Sequence, residues 1–321
     1  MIEPIRLELP TFEDMSVNSW LFKGEENILI DCGERSTLSI NALNNQLAQH
    51  GLRMEDISKV IITHAHYDHI GMAQYITQNS QATIWVSEMA HIWAVNLHEM
   101  LDRRSNAIDS SLAKYIETEQ LSNFDEWSNE MILEFWQTVP EDRLEVFPMS
   151  GVLDINGVDW EIIYTPGHCL NQTCFYQRES GYLLSADMLL PIIPLPIMDA
   201  KREAPFEAVK SLLMHYKSYD SLTALDIKKV FPGHMAAFEN ASEIIEKQKS
   251  RILSKKEKCM DLIDAGMNNF IELINNIYPN KVNMATALMV VGILEMLEEE
   301  GRIEVDIVNN KPIITALQIK Y

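Results

Sequence analysis

The sequence predicts an α/β layered domain followed by a smaller unit of three helices and a β-hairpin. Short β-type runs recur through the first 240 residues, with helical patterns between several of them; that alternation builds a sheet covered by helices. Beyond that point the pattern shifts to longer helical segments and closes on two β-rich runs around Asn309-Asn310-Lys311. A third observation places the chemistry. Four strand-like runs lead straight into His or Asp, and loops at strand ends are where α/β proteins set their reactive groups.

The strands expected are Asn27–Cys32, Lys59–Thr63, Thr83–Val86, Trp160–Thr165, Tyr182–Ala186 and Lys229–Phe231, each a short apolar run of the kind buried on both faces. Ser36–His50 reads as a helix between the first two. Residues 96–147 interrupt the rhythm with an acidic, helix-type insertion carrying Leu97, Met100, Leu101, Tyr115, Phe124, Trp127, Met131, Phe135 and Trp136. Two readings stay open for it: extra core, or a lid lining a substrate pocket. Residues 1–240 thus form the catalytic domain expected. Residues 241–321 form a second unit with helices at Ala241–Ala265, Asn268–Ile277 and Met284–Glu299 and strands at Arg302–Val308 and Pro312–Ile319. Three helices and a hairpin make a winged-helix-like shape.

The 321 residues carry 26 Lys+Arg against 47 Asp+Glu, a formal net charge of −21. Such a surface repels nucleic-acid phosphates and anionic lipid. The third tail helix, which would enter a DNA groove, has no Arg or Lys. The tail is therefore expected to pack, cover a pocket or support a homodimer. One locally basic run, Lys247, Lys249, Arg251, Lys255, Lys256 and Lys258, keeps a nucleic-acid reading open. The four cysteines have no disulfide or CxxC spacing, Met1 to Pro10 does not read as a secretory signal, and no apolar run is long enough to span a bilayer. A cytoplasmic protein acting on a small molecule is expected, with no membrane contact.

The central motif is His64-Ala65-His66-Tyr67-Asp68-His69. Imidazole nitrogen and carboxylate oxygen suit zinc and related divalent ions. Four such groups in six residues cannot all reach one ion from a regular strand or helix, whereas a tight loop can feed two. Left unpaired in a buried loop they would be costly. Other strand ends supply His168, Asp187 and His234. His50, His91, His98 and His215 lack that setting and are assigned to helix surfaces or core edges, His98 being the one placed to reach a pocket.

Asp31 in LIDCG, Thr63–Gly71 (THAHYDHIG), Thr165–His168 (TPGH), Ser185–Asp187 (SAD) and Phe231–His234 (FPGH) resemble the metallo-β-lactamase-fold hydrolase superfamily, over about residues 5–240. The resemblance implies a four-layer αββα sandwich with metals at one edge of its two sheets. It puts His64, His66 and His168 on a first metal, Asp68, His69 and His234 on a second, and Asp187 between them. Asp31 would support the loop without touching a metal. Two divalent ions, Zn in the first instance or Fe or Mn, roughly 3.5–4 Å apart would lower the pKa of a bridging water and polarise the electrophile. Asp68 would also shuttle the proton to the leaving group. The full set is similar to the glyoxalase II, lactonase and phosphodiesterase branches more than to exported antibiotic-cleaving enzymes.

After Asp187 comes an apolar, proline-rich loop from Met188 to Met198, expected to line the substrate channel. The substrate expected is a carboxylic ester, thioester or lactone with a partly apolar group. The alternatives are phosphodiester or RNA cleavage on the same fold, and a ligand-sensing or DNA-binding regulator working through the tail.

Overall fold

The computed structural model describes residues 3–12, 15–117, 129–192, 194, 199–309 and 311–317. Phe124 and Trp127 of the insertion, Ile193, Leu195, Pro196, Ile197 and Met198 of the proline-rich loop, and Ile319 of the tail lie outside the described residues.

Two sheets face each other. The first has six strands in chain order: β1 (Ile5–Pro10), β2 (Ser16–Phe22), β3 (Ile28–Ile30), β4 (Lys59–Ile61), β5 (Thr83–Ser87) and β6 (Leu144–Phe147). Its first two pairings are antiparallel and the rest parallel. The second joins β7 (Ser150–Ile155), β8 (Val158–Tyr164), β9 (Thr173–Gln177), β10 (Tyr182–Ala186) and β11 (Lys229–Pro232), with only β10 and β11 parallel. Asn156 and Gly157 link β7 to β8 with φ of 54° and 76°. Both central residues of such a two-residue turn need positive φ, which Asn-Gly supplies.

Three apolar layers separate the elements. Trp20, Ile30, Ile61, Trp160, Phe175 and Phe231 fill the space between the sheets. Outside the first sheet lie α1 (Thr37–Gln49), α2 (Tyr67–Ile70), α3 (Ala73–Asn79), α4 (His91–Val95), α5 (Leu97–Ala113) and α6 (Asn129–Phe135). Outside the second sheet lie α7 (Ser211–Thr223), α8 (Ala241–Asp264), α9 (Phe270–Ile277) and α10 (Met284–Glu299). This is the αββα sandwich expected.

The insertion is helical only in part. It contains α5 and α6; residues 144–147 are instead strand β6, paired with β5. Pro140 precedes that strand, and Leu144 and Phe147 pack inward where a further helix would leave β5 without its edge partner. Among the described residues the insertion contributes core. Leu97, Met100, Leu101 and Trp136 join the layer on the first sheet, and Leu112 and Tyr115 join the layer on the second. The start of the proline-rich loop differs likewise: Met188 and Leu189 are buried beneath α7 and α8 instead of lining a channel. The tail has the three helices expected, then a hairpin of β12 (Ile303–Val308) and β13 (Lys311–Ala316). No described helix is long and apolar enough to cross a membrane.

Candidate metal centre

All seven predicted residues meet at one edge of the sandwich, in loops leaving the C-terminal ends of β4, β8, β10 and β11. His64, His66, Asp68, His69, His168 and Asp187 are buried, and His234 is half-buried. On one side His66 Nδ1 lies 3.0 Å from His64 Nε2 and 2.9 Å from His168 Nε2. His168 Nε2 is 3.4 Å from Asp187 Oδ2. On the other side His234 Nε2 lies 3.4 Å from Asp68 Oδ2 and 3.2 Å from Asp187 Oδ2, while His69 Nε2 is 3.8 Å from Asp68 Oδ2 and 3.5 Å from Asp187 Oδ1. Two groups of convergent donors therefore share one carboxylate.

Hydrogen bonds at the back of the rings aim them. His69 Nδ1 donates to Asp31 Oδ2 at 2.7 Å, and Asp31 also accepts from the Thr63 amide and hydroxyl, each at 2.8 Å. The same hydroxyl is 3.0 Å from His64 Nδ1. His234 Nδ1 donates to the Ser16 carbonyl at 2.7 Å. Such partners fix the tautomer and leave the opposite nitrogen as a lone pair facing inward. Asp31 makes these bonds from the left-handed region, φ 59°, which Asp tolerates. It holds the loop, as expected, and also orients a ring in the site.

Sequence reasoning missed several supports. Asn18 Nδ2 donates to the carbonyls of Pro232 (2.9 Å) and Met235 (2.7 Å), and Trp20 Nε1 donates to Pro232 (2.9 Å), so β2 carries the His234 loop. Asn171 Oδ1 accepts from the Ala65 amide at 2.6 Å and ties the His168 loop to the His64 loop. A buried asparagine just outside a histidine motif was the available signal. Cys169, beside His168, comes within ligand range of His64 and His66, but burial pushes its thiol well above the usual range. His98 is exposed on α5, outside the site. His215 is buried in α7 with Nε2 2.8 Å from the Tyr219 hydroxyl.

The donor set fits two cations. His69 Nε2 and Asp187 Oδ1 are buried without a hydrogen-bond partner among the described residues, though they point at each other across 3.5 Å. Buried polar atoms left so are costly unless something sits between them. His64 and His66 are held well below the usual imidazole range by burial first, then by neighbouring imidazoles, so their lone pairs stay free. In the second group burial lowers His69 and His234, but Asp187 and Asp68 outweigh it and raise them to about 10 and about 12.

This gives a pH signature for metal-free protein. The folded chain keeps protons on His69 and His234 that the unfolded chain releases near pH 6.5. Their stabilisation is therefore complete below that pH and is lost as pH rises through the folded values. The melting temperature of metal-free protein should fall between pH 6.5 and 10, and metal affinity should rise, because metal displaces those protons. A flat melting profile in metal-free protein would contradict this charge arrangement.

The profile of the Metallo-beta-lactamase superfamily matches residues 13–234. The chain belongs to that superfamily. Its members are metal-dependent hydrolases. The chain is 24% identical to the "Probable metallo-hydrolase YqjP" of Bacillus subtilis, over 93% of each chain. The fold matches a metallo-beta-lactamase family protein of Thermus thermophilus at 21% identity, covering 98% of this chain and 99% of that one with a TM-score of 0.79. A beta-lactamase domain protein of Burkholderia ambifaria gives a TM-score of 0.75 at 17% identity, covering 98% of this chain and 92% of its own. Both likenesses extend through the C-terminal tail of this superfamily member.

Proposed function

We propose that this metallo-hydrolase holds two divalent ions and cleaves a carboxylic ester, thioester or lactone. His64, His66 and His168 would hold one ion, Asp68, His69 and His234 the other, and Asp187 both. The observation that carries this reading is Asp187. Its Oδ2 lies within 3.4 Å of His168 on one side and 3.2 Å of His234 on the other, and its Oδ1 lacks a hydrogen-bond partner among the described residues. When bound, the ions supply Lewis acidity and bring the pKa of water towards neutrality. Zinc suits the donor set, as do iron and manganese.

The chain's own residues do the rest. Asp68, drawn down to about 2 chiefly by His69 and His234 against its burial, is an anion at working pH and can receive a proton and pass it to the leaving group. Some exposed side chains beside the site's residues are apolar. Phe12 stacks on Phe135 at 4.5 Å and tilts over Tyr67 at 5.4 Å, while Met15, Met235 and Ile192 are exposed near Ser16, His234 and the end of the Asp187 loop. That rim suits a partly apolar substrate. The basic run on α8 is engaged locally, which weighs against a nucleic-acid role: Lys249 pairs with Asp220, Lys256 with Glu300, and Lys255 lies over Tyr278.

Elemental analysis should find two metals per chain. Hydrolysis of p-nitrophenyl esters, thioesters or lactones should vanish with chelator and return with metal. Preference for bis-p-nitrophenyl phosphate instead would overturn the substrate class, and chelator-resistant turnover would overturn the metal reading.

A further inference from the structure

We infer that Gln248 of α8 is a positioning residue of the metal centre, a role that rests on the two-metal reading above. From the C-terminal tail it holds the loop that leaves Asp187. Through Tyr219 and His215 of α7 it joins that hold to the loop bearing His168.

Gln248 stands on the buried face of α8 among Ile244, Ile245, Ile252 and Cys259. An amide placed there is costly unless its polar atoms are paired. Its Nε2 donates to the Leu190 carbonyl at 2.5 Å and to the Ile192 carbonyl at 2.9 Å. Carbonyls only accept, so this end of the amide is the nitrogen and Oε1 is left to accept. Its donor is the Tyr219 hydroxyl. Having given its one proton to Gln248, that hydroxyl accepts from His215 Nε2, 2.8 Å away. Every proton in the row is thereby assigned. His215 carries its proton on Nε2, and burial, which pulls the imidazole down to about 3, keeps it neutral.

Each end of the row meets a loop of the metal centre. Ser185 Oγ donates to the Leu189 carbonyl at 2.9 Å and closes the turn that carries Asp187. Gln248 takes the next carbonyl, that of Leu190, and then that of Ile192, which fixes where the chain goes on leaving the metal edge. At the other end His215 lies against the His168 loop. A Cβ on Gly167 would stand 2.2 Å from His215 Cα, so that turn rests directly on α7. Ser218, about one turn further along α7, donates from Oγ to the Pro166 carbonyl at 2.7 Å. His168 Nε2 and Asp187 Oδ2 come within 3.4 Å of each other from loops that leave different strands. The buried row ties those loops together a second time, behind the site. Helix α10 seats α7 from the tail side, where a Cβ on Gly292 would stand 2.5 Å from Leu212 Cβ. Bonds of this kind keep metal-binding side chains aimed, and losing one costs about 10- to 100-fold in metal affinity or activity.

Gln248→Met keeps the length of the side chain and removes all three hydrogen bonds. In cobalt(II)-loaded protein the visible absorption bands report the geometry of the metal ligands. Those bands should move in Gln248→Met, and kcat for p-nitrophenyl esters should fall roughly 10- to 100-fold with KM little changed. Ile252→Ala is the control. It removes buried volume from the same face of α8 and no hydrogen bond to the loop, so it should lower the melting temperature and leave the bands and kcat as in the wild type. Unchanged bands and kcat in Gln248→Met, or an equal change in Ile252→Ala, would overturn the positioning role. If Gln248→Met does not fold, Tyr219→Phe takes its place: moved bands support the role and unmoved bands overturn it. A wild type that takes up two cobalt ions but cleaves no ester loses the substrate class alone, and the bands still decide. A wild type that takes up none overturns the two-metal reading and this role with it.

Discussion

Replacing Asp187 with Asn should empty both halves of the site and cut hydrolysis by about 10³-fold or more, the loss expected when several kcal/mol of charge stabilisation disappears. The amide keeps the shape of the side chain but offers one neutral acceptor where the carboxylate offers two charged ones. Asp187 Oδ2 faces His168 and His234, and Oδ1 faces His69, so the substitution reaches both groups of donors at once. His66→Ala and Asp68→Ala provide the contrast. Each removes a donor from one group only, so a second ion can remain while turnover is lost. Elemental analysis separates the cases: close to none per chain for Asp187→Asn, and up to one for the others. The fold should survive, because His69 keeps Asp31 and Asp68 as partners. Two metals per chain with full turnover in Asp187→Asn would remove the shared carboxylate from its proposed role.

The centre was readable because its seven side chains sit in motifs that make little sense as core. Four titratable groups in six residues, followed by lone His and Asp at strand ends, have few bland explanations, and the structure brings all seven together. What supports them was harder to see. Strand β2 has buried Asn18 and Ser19 in its middle, which disguises it as a polar loop, yet Asn18 is polar so that it can hold the carbonyls of Pro232 and Met235. Partners 214 residues apart leave no local periodicity to read. Strands β7 and β9 were hidden in a similar way, the first by exposure at a sheet edge and the second by buried Thr173 and Gln177. The helical tail was legible in outline from its long helical patterns; two of its helices also start at side-chain caps, Asn269 and Asn283 each accepting a backbone amide three residues on.

Gly233→Ala should abolish metal binding and lower turnover by about 100-fold or more while the protein stays folded. A Cβ at this position would stand 2.1 Å from Asp187 Oδ1 and 2.8 Å from His69 Cε1. Neither neighbour can yield without leaving its place in the site. Asp187 follows Ala186, which is locked in the left-handed region at φ 43°, and the His69 ring is pinned from behind by Asp31. The backbone of Gly233 is fixed on both sides, its amide donating to the Ala186 carbonyl at 2.8 Å and its carbonyl accepting from the Asn18 amide at 2.6 Å. The methyl group must therefore displace the shared carboxylate, and a shift of about 1 Å in a catalytic group is enough to cost about 100-fold. The glycine in FPGH is explained by this contact and not by a turn requirement. Because the two shortest contacts fall on side-chain atoms of the site and the backbone carbon of Ala186 is at 3.1 Å, the apolar layers are untouched and the melting temperature of metal-free protein should change little. Circular dichroism with metal analysis of the purified variant checks both halves of the expectation. A folded Gly233→Ala protein with two metals and normal turnover would mean that Asp187 does not point where its role requires.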